Sequence, residues 1–209
     1  YTIIGGITGL STYMVFFYLP AIVASLAPIP AFFIGKKFSG NITGFLTALI
    51  VATHSSFVSR SVAGFSDTDA YNVALPLFTF WFAYEAFTAK TWKKQLLWGT
   101  LTTVGVGLHA WAWNSWWLTY TLLATAVIGN LVHILLRNSI KTYKEGKDWV
   151  WENIVDKDTL QKGYLSLGLV IAPILAAMIS RGTGAIGFLD TIIGRLQIDE
   201  AVGGNLWPN

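Results

Sequence analysis

Ser59-Arg60-Ser61-Val62-Ala63-Gly64-Phe65-Ser66-Asp67-Thr68-Asp69 is a short polar break between two apolar runs, Ile42–Val58 before it and Tyr71–Ala89 after it. Spanning a bilayer as a helix takes about 20 mostly apolar residues, so each run has the size of a membrane span and the break reads as the loop between two of them. Charge is costly near a bilayer, and two carboxylates in one such loop need a partner. A divalent cation, an arginine or an anionic ligand held through a metal would each supply one. Composition agrees: the chain is 54% hydrophobic with 12% charged residues, mean hydropathy +0.54, 10 Trp and 13 Phe, whereas soluble domains carry about 25% charged residues. The absence of cysteine excludes disulfides and thiolate metal sites.

Six segments qualify or nearly qualify as spans: Tyr13–Gly35, Ile42–Val58, Tyr71–Ala89, Leu96–Trp113, Trp116–Leu136 and Tyr164–Ser180. Pro20, Pro28 and Pro30 predict that the first is kinked or broken near its inner end. Thr53, His54, Ser55 and Ser56 should face protein or water, and residues 1–12 read as a re-entrant piece or the tail of a loop. Basic residues alternate between loops. Lys36, Lys37, Lys90, Lys93, Lys94, Arg137, Lys141, Lys144, Lys147, Lys157 and Lys162 fall on one side, against Arg60, Arg181 and Arg195 on the other. By the positive-inside rule this puts the Asp67/Asp69 loop on the non-cytoplasmic face of an integral membrane protein. Trp111, Trp113, Trp116 and Trp117 gather at the outer turn, Trp92 and Trp98 flank the inner one, and the headgroup level is where Trp is favoured. Residues 138–162, with Trp149, Trp151, Ile154 and Val155 among charges, read as an amphipathic segment on the cytoplasmic surface.

Asp67 and Asp69, at i and i+2, can converge on one Mg²⁺ or Mn²⁺, a hard cation that keeps positions open for a phosphate. The same residues also suit a helix start, with Ser66 or Asp67 as cap and acids set against the dipole of a helix beginning near Tyr71. Arg60 can neutralise the carboxylates or grip a phosphate, or simply lie at the interface as a snorkelling side chain. Asp199 and Glu200 read as solvated loop residues. His109 stands beside the outer Trp cluster as an interfacial side chain with one satisfied nitrogen or a sugar contact. His54 and His133 are not paired at metal-ligand spacing. Glu85 is expected to pair locally with Lys90, and Gly99, Gly105 and Gly107 predict close helix packing through small faces.

The string from Ser59 to Asp69, followed by an apolar helix, resembles the second acidic motif of the oligosaccharyltransferase catalytic subunit, especially its archaeal form. Leu19-Pro20-Ala21-Ile22 through Ile29-Pro30 to Gly35-Lys36-Lys37 is similar to the family's proline-bearing helix. Gly182–Arg195 and Gly203-Gly204-Asn205-Leu206-Trp207-Pro208-Asn209 are similar to the external loop ahead of its catalytic Ser/Thr-x-x-Glu motif. The resemblance implies an all-α polytopic transmembrane helical bundle of the GT-C type, about six spans plus external loops, as one domain over residues 1–209. It implies Asp67 as a metal ligand, Asp69 as a second ligand or close supporter, Arg60 as a stabilising partner, and Mg²⁺ or Mn²⁺ as cofactor. The first D-x-D motif is expected before Tyr1 and the motif glutamate beyond Asn209, with Glu200 as a fallback. Trp116-Trp117 does not match the Trp-Trp-Asp-Tyr-Gly motif of the family's soluble C-terminal domain.

The implied reaction moves an oligosaccharide from a dolichyl phosphate or diphosphate carrier to Asn in an Asn-x-Ser/Thr acceptor polypeptide. Membrane lipids are further partners and nucleic acid is not one. Residues 1–209 alone are expected to be inactive. Two other readings stay open: a protein O-mannosyltransferase-like enzyme that also uses a polyprenyl-phosphate sugar, and a transporter or structural membrane subunit. The acids gather at one interface and no repeat is visible, which counts against a transporter.

Overall fold

A computed structural model describes residues 6–65, 67–146, 150 and 154–181, and no strand occurs among them. Helix α1 (Thr12–Leu26) starts where the Ser11 hydroxyl accepts the Met14 N–H at 3.3 Å. It carries Pro20 and ends at Ala27. Helix α2 (Pro28–Ser39) then opens on Pro28 and Pro30, where a missing N–H removes no intrahelical bond. The expected break in the first apolar segment thus falls at the second proline. Gly40, at φ 88°, turns the chain into α3 (Asn41–Thr53). The two helices close on each other through glycine: a Cβ on Gly44 would lie 2.7 Å from the Phe32 carbonyl oxygen.

The second apolar segment is not one straight helix. It breaks at His54 (φ −62°, ψ 115°) and resumes as α4 (Ser55–Ser61), bent by 53°. Thr53, His54, Ser55 and Ser56 are exposed there, with the Thr53 hydroxyl donating to the Leu49 carbonyl at 2.8 Å. Helices α5 (Asp69–Thr88), α6 (Trp92–Ala112), α7 (Trp117–Lys144) and α8 (Lys157–Arg181) follow.

The core lies between α5, α6 and α8, lined by Ala83, Ala86, Val106, Ala110, Leu169 and Ala177, with Leu123 and Val127 of α7 closing it. Helices α6 and α8 run the same way: Gln161 donates to Gln95 at 2.6 Å, and Gly107 faces Ala176. Helix α7 returns between them in sequence, its Tyr120 hydroxyl donating to the Val170 carbonyl at 3.0 Å. At its other end the Asn138 amide donates to the Ile154 carbonyl (3.0 Å) and the Thr159 hydroxyl (2.9 Å). Such small-residue contacts bring backbones close where lipid and side chain are equally apolar.

Among the described residues three helical runs are long and apolar enough to cross a membrane, Thr12–Ser39, Trp117–Lys144 and Lys157–Ser180, with a fourth if the bent pair α3–α4 is one broken span and not a re-entrant loop. This is an all-helical integral membrane protein, but the six-span count is not reached among the described residues. Helices α5 and α6 have the length, 20 and 21 residues, yet dilute their apolar content with Asn, Thr, Tyr, Trp, Gly and Lys. They are also the helices that pack most against others, so lipid contact asks less of their sequence.

Other expectations are corrected. Glu85 pairs with Lys37 across α2 and α5, Nζ to Oε1 at 2.9 Å, not with Lys90. Trp116 is 4% exposed and faces inward, leaving Trp111 and Trp117 as the exposed members of its group. Trp98 packs on Trp81 and Phe82, with ring centroids 5.8 and 5.6 Å away. Residues 138–144 continue α7 instead of beginning a surface segment. Residues 1–5, Ser66, Trp149, Trp151 and everything from Gly182 onward, including Asp199 and Glu200, lie outside the described residues.

Candidate functional site

The acidic loop hangs between α4 and α5. On the α4 side the buried Ser61 hydroxyl donates to the Phe57 carbonyl at 2.6 Å and ends the helix. Gly64 then anchors the loop to α1: its N–H donates to the Phe17 carbonyl at 3.0 Å, its φ is 91°, and a Cβ there would sit 2.8 Å from Cε2 of Phe17. Positive φ and close approach together make this a glycine position.

Beyond Gly64 the two carboxylates take different partners. Thr68 holds the N-cap position of α5, and its N–H donates to Asp67 Oδ1 at 2.6 Å. Asp69 sits in the first turn of α5, where a negative charge is favoured by the helix dipole. Its Oδ2 accepts from Arg60 Nη1 at 3.1 Å. The cap expected at Ser66 or Asp67 therefore sits one residue later, while the Arg60–carboxylate pairing forms as expected, with Asp69 as its partner. Arg60 is 64% exposed and Asp69 29%, so solvent screens the pair. Its net contribution to stability is of order 0–1 kcal/mol, and its value is in aiming a guanidinium over the loop.

A polar chain leads inward from this turn. Asn72, one turn into α5, donates through Nδ2 to the Thr68 hydroxyl at 3.4 Å. Its Oδ1 faces Nε2 of His109 on α6 at 3.4 Å. Facing a carbonyl oxygen, that nitrogen is assigned as the N–H of the neutral ring. His109 is fully buried, stacks on Trp113 with ring centroids 5.6 Å apart, and its Nδ1 has no partner among the described residues. The sequence reading of one satisfied nitrogen therefore holds, but the residue belongs to the protein interior behind the loop. Asn72 was not among the sequence candidates, and nothing in the sequence joined it to His109. They lie 37 residues apart, and neither carries a local signal.

Asp67 and Asp69 form a purely oxygen donor set, which suits a hard divalent cation. Each carboxylate spends one oxygen in the bonds above and has a second. Among the described residues no group of three or more His, Asp or Glu gathers as a metal cage.

The class of protein so defined is a helical membrane bundle with an arginine and two carboxylates around one inter-helix turn. Across residues 1–198 the chain matches the family model described as "Oligosaccharyl transferase STT3, N-terminal", and it belongs to that family. It is similar to a dolichyl-phosphooligosaccharide-protein glycotransferase of Methanococcus voltae, 29% identical over 202 residues, which is 92% of this chain and 22% of the relative. An undecaprenyl-diphosphooligosaccharide–protein glycotransferase of Campylobacter jejuni is 25% identical over 123 residues, 59% of this chain and 16% of that protein. The chain thus spans about a fifth of the length of the first relative and less of the second. No solved structure matches it.

Proposed function

We propose that this chain is membrane-embedded catalytic machinery of an archaeal-type oligosaccharyltransferase. It would transfer an oligosaccharide from a dolichyl phosphate or diphosphate carrier to the amide nitrogen of Asn in an Asn-x-Ser/Thr polypeptide. The observation that carries the reading is the Arg60–Asp69 pair beside Asp67, in the turn whose sequence matches the family's second acidic motif. The relatives' names point the same way and speak for oligosaccharide transfer over the O-mannosyl and transporter alternatives.

The chemistry asks for two things. The acceptor amide is a poor nucleophile, and the departing lipid phosphate gathers negative charge as the glycosidic bond breaks. A preorganised cationic site answers the second need. Arg60, aimed by Asp69, would meet a phosphate oxygen with a charge-assisted hydrogen bond. Asp67 and Asp69 would hold Mg²⁺ or Mn²⁺, which supplies Lewis-acid neutralisation of the phosphate. The alternation of basic loops supports placing this turn on the non-cytoplasmic face, of the cell membrane in an archaeal host, with carrier and acceptor meeting at the bilayer surface.

The test is glycosylation of a fluorescent Asn-x-Thr peptide by the full-length protein with lipid-linked oligosaccharide supplied, wild type against Asp67→Ala, with and without EDTA. Product should vanish with either change and return on adding Mn²⁺ in wild type alone. Transfer unchanged in Asp67→Ala would reduce the motif to a helix start, and no transfer by wild type would favour the O-transferase or transporter readings.

A further inference from the structure

The end of the bundle opposite the acidic turn holds a cavity that the proposed reaction does not use. Helix α5 begins at the acidic turn and α6 ends beside it, since Asn72 meets His109. Trp92, 17 residues before His109, is therefore about 25 Å away along α6 at a rise of 1.5 Å per residue. There α6 and α8 enclose a cavity of about 520 Å³ that opens on the bundle surface, within the range of small-molecule and cofactor sites. Its shaft is apolar, lined by Leu96, Gly99, Leu165, Gly168, Leu169 and Ala172. Its mouth is polar, with Lys157, Trp92 and the Gln95–Gln161 pair, whose amides bond each other at 2.6 Å.

Two features of the mouth say what fits it. Lys157 makes no ion pair among the described residues, in contrast to Lys162, which binds Asp158 at 2.6 Å. Lys93 and Lys94 follow Trp92 in the first turn of α6 but do not line the cavity, so Lys157 is the cationic side chain at its mouth. Trp92 is 63% exposed, at the height where an indole favours the lipid headgroup region. Glycine makes room in the shaft: a Cβ on Gly168 would meet nothing within 4 Å, and one on Gly99 only the tips of Leu165 and Leu169 at 3.8 Å.

We propose that this groove is a binding site for an anionic phospholipid of the adjoining leaflet, one acyl chain lying in the shaft and the phosphate at Lys157. Charge complementarity selects the occupant. A neutral lipid gains only the shaft, whereas an anionic one also meets the Lys157 ammonium, worth about a fivefold gain in affinity near a membrane surface. The site is separate from the acidic turn and needs no glycosyl transfer to be detected.

The test is native mass spectrometry of the detergent-solubilised full-length protein, titrated with phosphatidylglycerol or phosphatidylcholine of identical acyl chains. Wild type should retain one phosphatidylglycerol at least fivefold more tightly than phosphatidylcholine. Lys157→Gln should abolish most of that preference while leaving phosphatidylcholine retention unchanged. Gly168→Leu, which fills the shaft, should lose both lipids. Gly129→Leu, on α7 with nothing within 4 Å of its Cβ, controls for an added side chain and should behave as wild type. Equal retention of the two lipids by wild type overturns the proposal. So does retention unaffected by Gly168→Leu, as expected if another helix covers the groove. Should Gly168→Leu fail to fold, the loss of headgroup preference in Lys157→Gln decides alone.

Discussion

Replacing Gly105 by alanine sets two opposed effects against each other, and the structure says which wins. Alanine in a helix interior is favoured over glycine by about 0.8–1 kcal/mol. At Gly105, however, the new Cβ would lie 2.6 Å from Oγ1 of Thr79 on α5. Thr79 is fully buried and its hydroxyl donates to the Leu75 carbonyl at 2.8 Å. A β-branched side chain in a helix has little χ1 freedom with which to yield. Overpacking of this kind costs about 1–3 kcal/mol, so Gly105→Ala should destabilise the bundle by up to about 2 kcal/mol. Removing the obstacle reverses the sign. In Thr79→Ala the nearest remaining atoms are Cα and Cβ of residue 79 at 3.6 Å, an ordinary contact. On that background Gly105→Ala should stabilise by about 0.5–1 kcal/mol. The assay is unfolding of the full-length protein in mixed micelles by SDS titration, for wild type, both single variants and the double variant. A coupling energy of about 1–3 kcal/mol is expected. Gly105→Ala having the same sign on both backgrounds would refute the steric argument.

Arg60→Gln breaks a solvent-screened pair, so stability should stay within about 1 kcal/mol by thermal unfolding, while on the proposed function glycopeptide formation should fall about a hundredfold as the donor proposed for the leaving phosphate is lost. His109→Ala removes the stack on Trp113 and leaves Oδ1 of Asn72 without its imidazole partner behind the acidic turn. It should destabilise by about 2–4 kcal/mol, with His109→Gln recovering part, measured in the same SDS titration. Asp156 starts α8, its Oδ1 accepting the Thr159 N–H at 2.8 Å. Hydrogen bonds from the Thr159 side chain and backbone hold its carboxyl below the ordinary aspartate value. A depressed folded-state pKa means that this contribution is present above the unfolded pKa and fades as pH falls through the folded one. Asp156→Asn should therefore flatten the acid limb of stability against pH, and Asp156→Ala should cost about 1 kcal/mol at neutral pH.

All six apolar segments could be read as helical because hydropathy over 17–23 residues is a long, redundant signal. The break between α1 and α2 could be read too, since Pro28 announces it. The break at His54 could not: no proline or glycine stands at residues 53–55, and an exposed Thr-His-Ser-Ser run suits a helix as well as a bend. At the site, Arg60 and the two aspartates were legible because they fall within ten consecutive residues. The division of labour between Asp67 and Asp69 was not, since it depends on how the chain turns at Gly64 and Thr68. Contacts such as Lys37–Glu85 and Asn72–His109 join residues far apart in sequence, and composition says nothing of which helix faces meet.

The hydrogen bond from Gly64 to the Phe17 carbonyl ties the acidic turn to α1, the first of the long apolar runs. Helices of this kind tilt to match the hydrocarbon thickness around them. A tilt of α1 must then carry the turn with it and alter the depth at which the Arg60–Asp69 pair stands. Host membranes of different acyl length therefore set the same pair at different depths, so a thin and a thick bilayer hold differently placed turns.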